Sequence, residues 1–256
     1  MNGLSLTLLG TGTSQGVPLI GCKCKVCTSK DVKDNRLRTS ALITFNNSNI
    51  VIDTGPDFRQ QMLRTNVCSM DAVIFTHEHK DHIAGLDDIR AFNYLQQKDM
   101  PIYCNPSVEL AIRREFSYVF AEKRYPGIPQ LEIISIHENM RFTIGGLEIL
   151  PLPVMHMSLP VLGFLFGDIC YITDANFISE KVIDRIKGVK YLVLNALRKE
   201  KHPSHFTLDE AIAMVERIKP ETAVFTHISH QLGLHQEIQN MLPTNVLLGF
   251  DGMVLK

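Results

Sequence analysis

Residues Ala72 to His82 read AVIFTHEHKDH, an apolar run followed by six residues that carry three imidazoles and two carboxylates. Ala72–Phe75 is short, uninterrupted and rich in β-branched side chains, the pattern of a strand. In an extended segment residues 77 and 79 share a side, so His77 and His79 can grip one ion. Asp81 and His82 fall at the mouth of the following helix and can point toward a second. Imidazole and carboxylate are donors that suit Zn, Fe or Mn. Four donors within six residues exceed what one tetrahedral ion accepts from so short a loop, so the spacing favours two cations.

The same arrangement, an apolar strand and then a His or Asp, recurs in both directions from this stretch. Asp53 follows Ile50-Val51-Ile52, His156 follows Pro153-Val154-Met155, and Asp174 follows Tyr171-Ile172-Thr173. Asn195 follows Leu192-Val193-Leu194, and His227 follows Val224-Phe225-Thr226. If these strands run in parallel, or alternate between paired sheets, their ends converge on one rim, where a rigid scaffold displays reactive groups. A faint internal echo accompanies them: AVIFTHEH against TAVFTHISH, and NIVIDTG against CYITDAN, one of each in either half.

The chain has 256 residues, 45% of them hydrophobic. That length fits one large domain or two modest ones; no linker-like stretch divides it, and residues 1–256 are read as a single domain. A chain of this size buries about three quarters of its unfolded surface and needs no disulfides to hold a core. With 26 basic residues against 27 acidic ones, it lacks the basic excess of a protein built to hold nucleic acid. No apolar run approaches the ~20 residues that span a bilayer. The start, MNGLSLTLLG, has neither a basic n-region nor a cleavage site, so Leu4–Leu9 reads as a first strand. The expectation is a cytoplasmic protein with no membrane partner.

Further strands are read at Ser40–Phe45, Asn49–Ile52, Leu131–Ile136, Leu147–Leu152, Gly163–Phe166, Ile169–Ile172, Tyr191–Leu194, Thr222–Phe225 and Val246–Phe250. Helical spacing joins Ile83, Leu86, Ile89 and Tyr94 or Leu95; a second set joins Val108, Ala111, Ile112, Phe116 and Val119. The clearest helix spans Leu208 to Ile218, opened by the capping box Thr207-x-x-Glu210 and closed before Pro220. A short one is read from His235 to Leu242. Strands outnumber helices in mixed order, which predicts an α+β fold of stacked sheets with helices outside.

Cys22, Cys24 and Cys27 supply three thiols, one short of a closed tetrahedral Zn site, with the fourth donor to come from a distance. Lys23 and Lys25 favour the thiolate forms. Cys68, Cys104 and Cys170 read as small buried hydrophobes. His202 and His205 precede the capped helix, whose N-terminus is a ready anion site; a His there could donate a proton to a departing alkoxide. Arg113, Arg114, Lys123 and Arg124 are interleaved with glutamates and read as a solvated helix face. Arg36 and Arg38 lie near the Cys loop and could meet a phosphate, though their spacing does not demand it.

H-x-H-x-D-H after a strand, with His156, Asp174 and His227 in order behind it, resembles the metallo-β-lactamase superfamily nearly end to end. GTGTSQGVPLIGCKCKVC near the start and FTHISHQLGLH near the end are similar to its phosphoribosyl 1,2-cyclic phosphate phosphodiesterase branch. The resemblance implies a four-layer αββα sandwich of two packed mixed sheets. It implies one metal site from His77, His79 and His156, a second from Asp81, His82 and His227, and Asp174 as the bridge between them. The two ions would be Zn or Mn, with Fe a third option. Asp53 matches the superfamily's strand-end acid and would orient a metal-bound His through its other ring nitrogen. In the resembling branch the fourth donor to Cys22, Cys24 and Cys27 is the His at position 230, giving one structural Zn, and a His at position 205 serves as general acid or phosphate contact.

The activity implied is a dinuclear metal-dependent hydrolase that cleaves a small cyclic phosphodiester by attack of metal-bound hydroxide, with catalytic weight on Asp174, His205 and Asp81. Its partner is that small substrate, without a stable nucleic-acid partner, and the resemblance suggests a homodimer. A tRNA 3′-processing-type endonuclease and a thioester or lactone hydrolase share the metal residues. The first normally carries a basic Gly/Pro-rich insert that this sequence lacks; the second needs no His-bearing anion pocket. A di-iron oxidoreductase would place a carboxylate where His79 stands.

Overall fold

The computed structural model describes residues 3–122 and 125–256, so Lys123 and Arg124 of the basic stretch lie outside the described residues. The first sheet takes β1 (Leu4–Gly10), β2 (Ser40–Phe45), β3 (Ser48–Ile52), β4 (Ala72–Ile74), β5 (Met100–Cys104) and β6 (Leu131–Ser135) side by side in chain order. The second takes β7 (Phe142–Ile144), β8 (Leu147–His156), β9 (Leu159–Phe166), β10 (Ile169–Ile172), β11 (Tyr191–Asn195), β12 (Thr222–Thr226) and β13 (Val246–Leu248) in the same manner. The last strand, β14 (Val254–Leu255), returns to the first sheet beside β1.

The strands read as continuous apolar runs because both of their faces are covered. On β3, Ile50 and Ile52 pack between the sheets while Val51 packs under helices. On β12, Val224 packs between the sheets while Ala223 and Phe225 face the opposite helical layer. Helices α1 (Phe58–Thr65), α2 (Lys80–Ile83), α3 (Arg90–Gln96) and α4 (Pro106–Glu115) cover the first sheet through Phe58, Met62, Ile83, Phe92 and Val108. Helices α5 (Glu180–Ile186), α6 (Leu208–Ile218) and α7 (His235–Gln239) cover the second through Val182, Ile183, Val215 and Ile238. The result is the expected αββα sandwich with three apolar layers, each fully buried aliphatic or aromatic side chain contributing about 1.5–3 kcal/mol.

Both sheets change direction at one strand. β1, β2 and β3 pair antiparallel, and β3 through β6 pair parallel. β7 through β10 pair antiparallel, and β10 through β13 pair parallel. Asp53 and Asp174 follow β3 and β10, the two strands at which the pairing switches. The carboxyl ends of β3, β4, β8, β10 and β12 therefore lie at one edge of the sandwich.

Several local readings change. The single helix read through Ile83 and Leu95 is three pieces, α2, a 3₁₀ turn at Leu86–Ile89 and α3. Tyr94 and Leu95 are 77% and 66% exposed and do not face the core. Strand β9 starts four residues earlier than read, and α7 ends at Gln239 instead of Leu242. Helices α1 and α5 and strands β5 and β7 were not legible: α1 buries only Phe58, Gln61 and Met62, and Pro101 sits inside β5, where proline argues against a strand. Of the three scattered cysteines, Cys104 and Cys170 are buried, but Cys68 is exposed. Among the described residues no helix is long and apolar enough to cross a membrane.

Candidate metal centre

Strand ends deliver the donors. His77 follows β4, His156 closes β8, Asp174 follows β10 and His227 follows β12; His79, Asp81 and His82 come from the turn into α2. The structure gathers them into two groups, His77/His79/His156 and Asp81/His82/Asp174/His227, with the donor atoms of each group within 4.8 Å of one another. Asp174 faces both: its Oδ2 lies 3.4 Å from His82 Nε2 and 3.9 Å from His77 Nε2, and its Oδ1 lies 2.8 Å from His227 Nδ1. His77, His82, Asp174 and His227 are almost fully buried, whereas His79 is open to solvent at the mouth.

The outer ring atoms are held by the protein. His82 Nδ1 donates to Asp53 Oδ2 at 2.7 Å. His77 Nδ1 donates to Thr76 Oγ1 at 2.9 Å, and that hydroxyl donates to Asp53 Oδ2 at 2.8 Å. His156 Nδ1 donates to the Ser204 carbonyl at 2.8 Å. Asp53 thus fixes two imidazoles, one directly and one through Thr76, and leaves their Nε2 atoms facing inward, the arrangement that orients metal-binding histidines. Thr76 was not singled out in the sequence, although the repeated Phe-Thr-His points to it. Thr13, in the N-terminal loop, lies with its Oγ1 3.3 Å from His227 Nε2.

The backbone is bent for this purpose. Asp53, Asp174 and His227 have φ of 62°, 53° and 55°, left-handed values that cost non-glycine residues on the order of 1–3 kcal/mol each. Gly55 is needed for a different reason, because a Cβ there would sit 2.1 Å from the Asp81 carbonyl oxygen. The loop after Asp53 can therefore press against the turn that carries Asp81 and His82.

This donor set fits cations. His82 Nε2 lies 3.2 Å from Asp81 Oδ2, yet it and His227 Nδ1 are buried and make no hydrogen bond among the described residues. Both atoms instead face the Asp174 carboxylate, His82 Nε2 at 3.4 Å and His227 Nδ1 at 2.8 Å, without the alignment of a hydrogen bond. Burial pushes the carboxyl of Asp174 up, but the imidazoles of His227 and His82 outweigh it and hold the group well below its ordinary range. Burial likewise opposes charge on His82, and Asp81, Asp174 and Asp53 outweigh it and raise its pKa. Anionic carboxylates beside inward-facing imidazole nitrogens are what a divalent ion of borderline softness selects.

The Cys loop and the end of β12 form another group. Cys22 Sγ and Cys24 Sγ lie 3.6 and 3.4 Å from His230 Nδ1, and with Cys27 all four donor atoms fall within 4.8 Å. The hydrogen bond from His230 and that from the Cys27 N–H bring Cys24 down to about 6, and burial pushes Cys27 up to about 11. His227 and His230 stand three residues apart and serve the two clusters from one loop.

His205 lies 4.6 Å from His156 and 4.7 Å from His227 between ring centroids. Burial, then the His227 ring, brings its pKa to about 3. The helix end beside it is not free for an anion: Thr207 Oγ1 accepts from Glu210 N, and Glu210 Oε2 accepts from Thr207 N. His202 packs 5.1 Å from the His205 ring. Asn195 is not part of the cluster; it binds both backbone groups of Ala175 and so fixes the turn after Asp174. Arg36 is buried, donating to Thr11 Oγ1 and the Gly249 carbonyl and lying near His235 Nδ1, so its guanidinium is spent inside the fold. Arg38 is committed to Asp57 at 2.9 Å and to the Ser14 carbonyl.

Residues 48–228 match the beta-lactamase superfamily domain. A crystal structure of a diphosphatase from the PhnP family is 38% identical, with a TM-score of 0.93 over 99% of this chain and 96% of that one. The Zn(2+)-bound PqqB of Methylobacterium extorquens is 18% identical, with a TM-score of 0.82 over 98% of this chain and 99% of that one, a likeness of fold. An octanoyltransferase of Porphyromonas gingivalis is 42% identical over 248 residues, 96% of this chain and 50% of that protein. The chain spans half or less of the length of the curated relatives it matches first. With the switch-strand acids, the clustered imidazoles and these matches together, the chain belongs to the β-lactamase superfamily, in the metallo-β-lactamase-fold branch that contains the PhnP family.

Proposed function

We propose that this protein is a metal-dependent phosphodiesterase acting on a small, cyclic phosphodiester, with two active-site cations and one structural Zn. The observation that carries the reading is the pair of inward-facing donor groups on either side of Asp174, with the buried His205 ring 4.6 Å from His156 and 4.7 Å from His227. His77, His79 and His156 would hold one ion, Asp81, His82 and His227 the other, and Asp174 would bridge them. When bound, such a pair supplies positive charge for phosphoryl oxygens and lowers the pKa of coordinated water.

The chain's own residues do the rest. Asp53 and Thr76 hold His77 and His82 in the tautomers that keep Nε2 free. The buried strand ends exclude bulk water, which strengthens every charge interaction at the reacting phosphorus. His205, held neutral by burial, offers its ring N–H to the leaving oxygen as a hydrogen-bond donor. Cys22, Cys24, Cys27 and His230 would hold the structural Zn and pin the N-terminal loop beside His227. The 38% identical diphosphatase supports chemistry at phosphorus. The octanoyltransferase match spans 50% of that protein, so its acyl transfer is not carried over to this chain.

A hydrolysis panel tests the reading, with Zn, Mn or Fe restored to metal-free protein. It compares bis-p-nitrophenyl phosphate, 2′,3′- and 3′,5′-cyclic nucleotides, a 1,2-cyclic ribose phosphate, a diphosphate diester, an RNA with a 3′ trailer, a lactone and a thioester. The expected result is metal-dependent cleavage of small phosphodiesters. Turnover confined to the lactone, the thioester or the RNA would overturn it.

A further inference from the structure

A third donor group overlaps the two described. His156, Asp174 and His205 bring one donor atom each within 4.8 Å of one another, all three residues buried. His205 Nδ1 is buried and makes no hydrogen bond among the described residues. His156 has given its Nδ1 to the Ser204 carbonyl, so its Nε2 is the atom common to this group and to His77/His79/His156.

We propose that His205 is a displaceable metal ligand: in the substrate-free protein it caps the cation held by His156 and Asp174, and an incoming phosphoryl oxygen takes its place. The inference rests on the cation pair proposed above and adds an exchange at one coordination position. Since one imidazole nitrogen binds one ion, His156 cannot serve two cations. His205 therefore competes for the same ion that His77 and His79 approach, instead of building an independent third site. The exchange balances simply: an imidazole nitrogen leaves the cation, a phosphoryl oxygen binds it, and no bond to hydrogen is broken. The freed ring then stands beside the ligand that displaced it. Segment 202–206 is anchored on either side of that ring by Asn176 Nδ2 donating to the Pro203 carbonyl and by Phe206 N donating to the Ala175 carbonyl. The ring thus needs only a side-chain rotation to leave.

The test uses the full chain loaded with Co(II), whose bound imidazoles give hyperfine-shifted, exchangeable N–H signals in proton NMR. Wild type is expected to show one more such signal than His205→Asn, and inorganic phosphate is expected to remove that signal from wild type alone. Equal numbers of signals in the two proteins would overturn the proposal. Should His205→Asn fail to fold, the wild-type phosphate titration decides: loss of one imidazole signal supports the exchange, and an unchanged set refutes it. Failure of the chain to bind Co(II) at all would strike the cation-pair reading instead, so the two can fail separately.

Discussion

The two clusters of candidate metal donors share a loop but are built on opposite principles. The His/Asp cluster takes its donors from the ends of strands buried in the sandwich, and Asp53, Thr76 and Ser204 hold the backs of its rings. The Cys22/Cys24/Cys27/His230 cluster takes three donors from an irregular, half-exposed loop whose hydrogen bonds are mostly local, such as those from Leu19 N and Cys27 N to sulfur. The first is organised by the fold, while the second organises the segment that carries it. Removing a donor should therefore cost chemistry in one and stability in the other.

The strongest way to break that contrast is Asp174→Ala. Because Asp174 touches both donor groups, the loss of turnover should exceed the ~100-fold typical of residues one step further from a metal, with circular dichroism unchanged. Near-normal rates would sink the assignment. Asp53→Asn sharpens the contrast, since it disturbs His77 and His82 from behind; active-site metal affinity should fall about 10–100-fold by chelator competition, with the Cys cluster's metal retained. Cys24→Ala tests the other side. Loss of a structural metal costs upward of ~4 kcal/mol, which at about 2–4 °C per kcal/mol lowers Tm by roughly 10 °C, while kcat at low temperature should change only a few-fold. A large fall in kcat with Tm intact would reverse the contrast.

The smallest expected effect lies under the shared loop. Burial, with Arg36 and Lys33 adding to it, lowers His235 to about 4. The unfolded chain then binds more protons than the folded one between about 6.5 and 4. Stability from His235 is full above that window and is lost as pH falls through it. His235→Gln should flatten the decline of Tm between those pH values relative to wild type.

The candidate donors were legible because His77, His156, Asp174 and His227 each follow an apolar run, His79, Asp81 and His82 crowd behind the first of them, and His205 precedes a capped helix. His77, His79, Asp81, His82, His156, Asp174, His227 and His205 could be named without coordinates, and the structure brings them together. What could not be read was what their neighbours do. Asn195 sits at a strand end like the others but is spent on the Ala175 backbone. Arg36 resembles a phosphate contact until burial takes it out of reach. Helix α1 hides because its packing depends on three residues in eight, and β5 because Pro101 masks it. In each case the deciding partner lies far along the chain, where local pattern carries no information.

Asp53, Asp174 and His227 all adopt backbone angles that suit glycine or asparagine better than themselves. A laboratory lineage bred for heat resistance, with no demand on turnover, should therefore drift toward those two residues at 53, 174 and 227 and grow sturdier as it falls silent. The sites at which such a lineage and a working enzyme diverge would map, by genetics alone, where this fold trades endurance for reactivity.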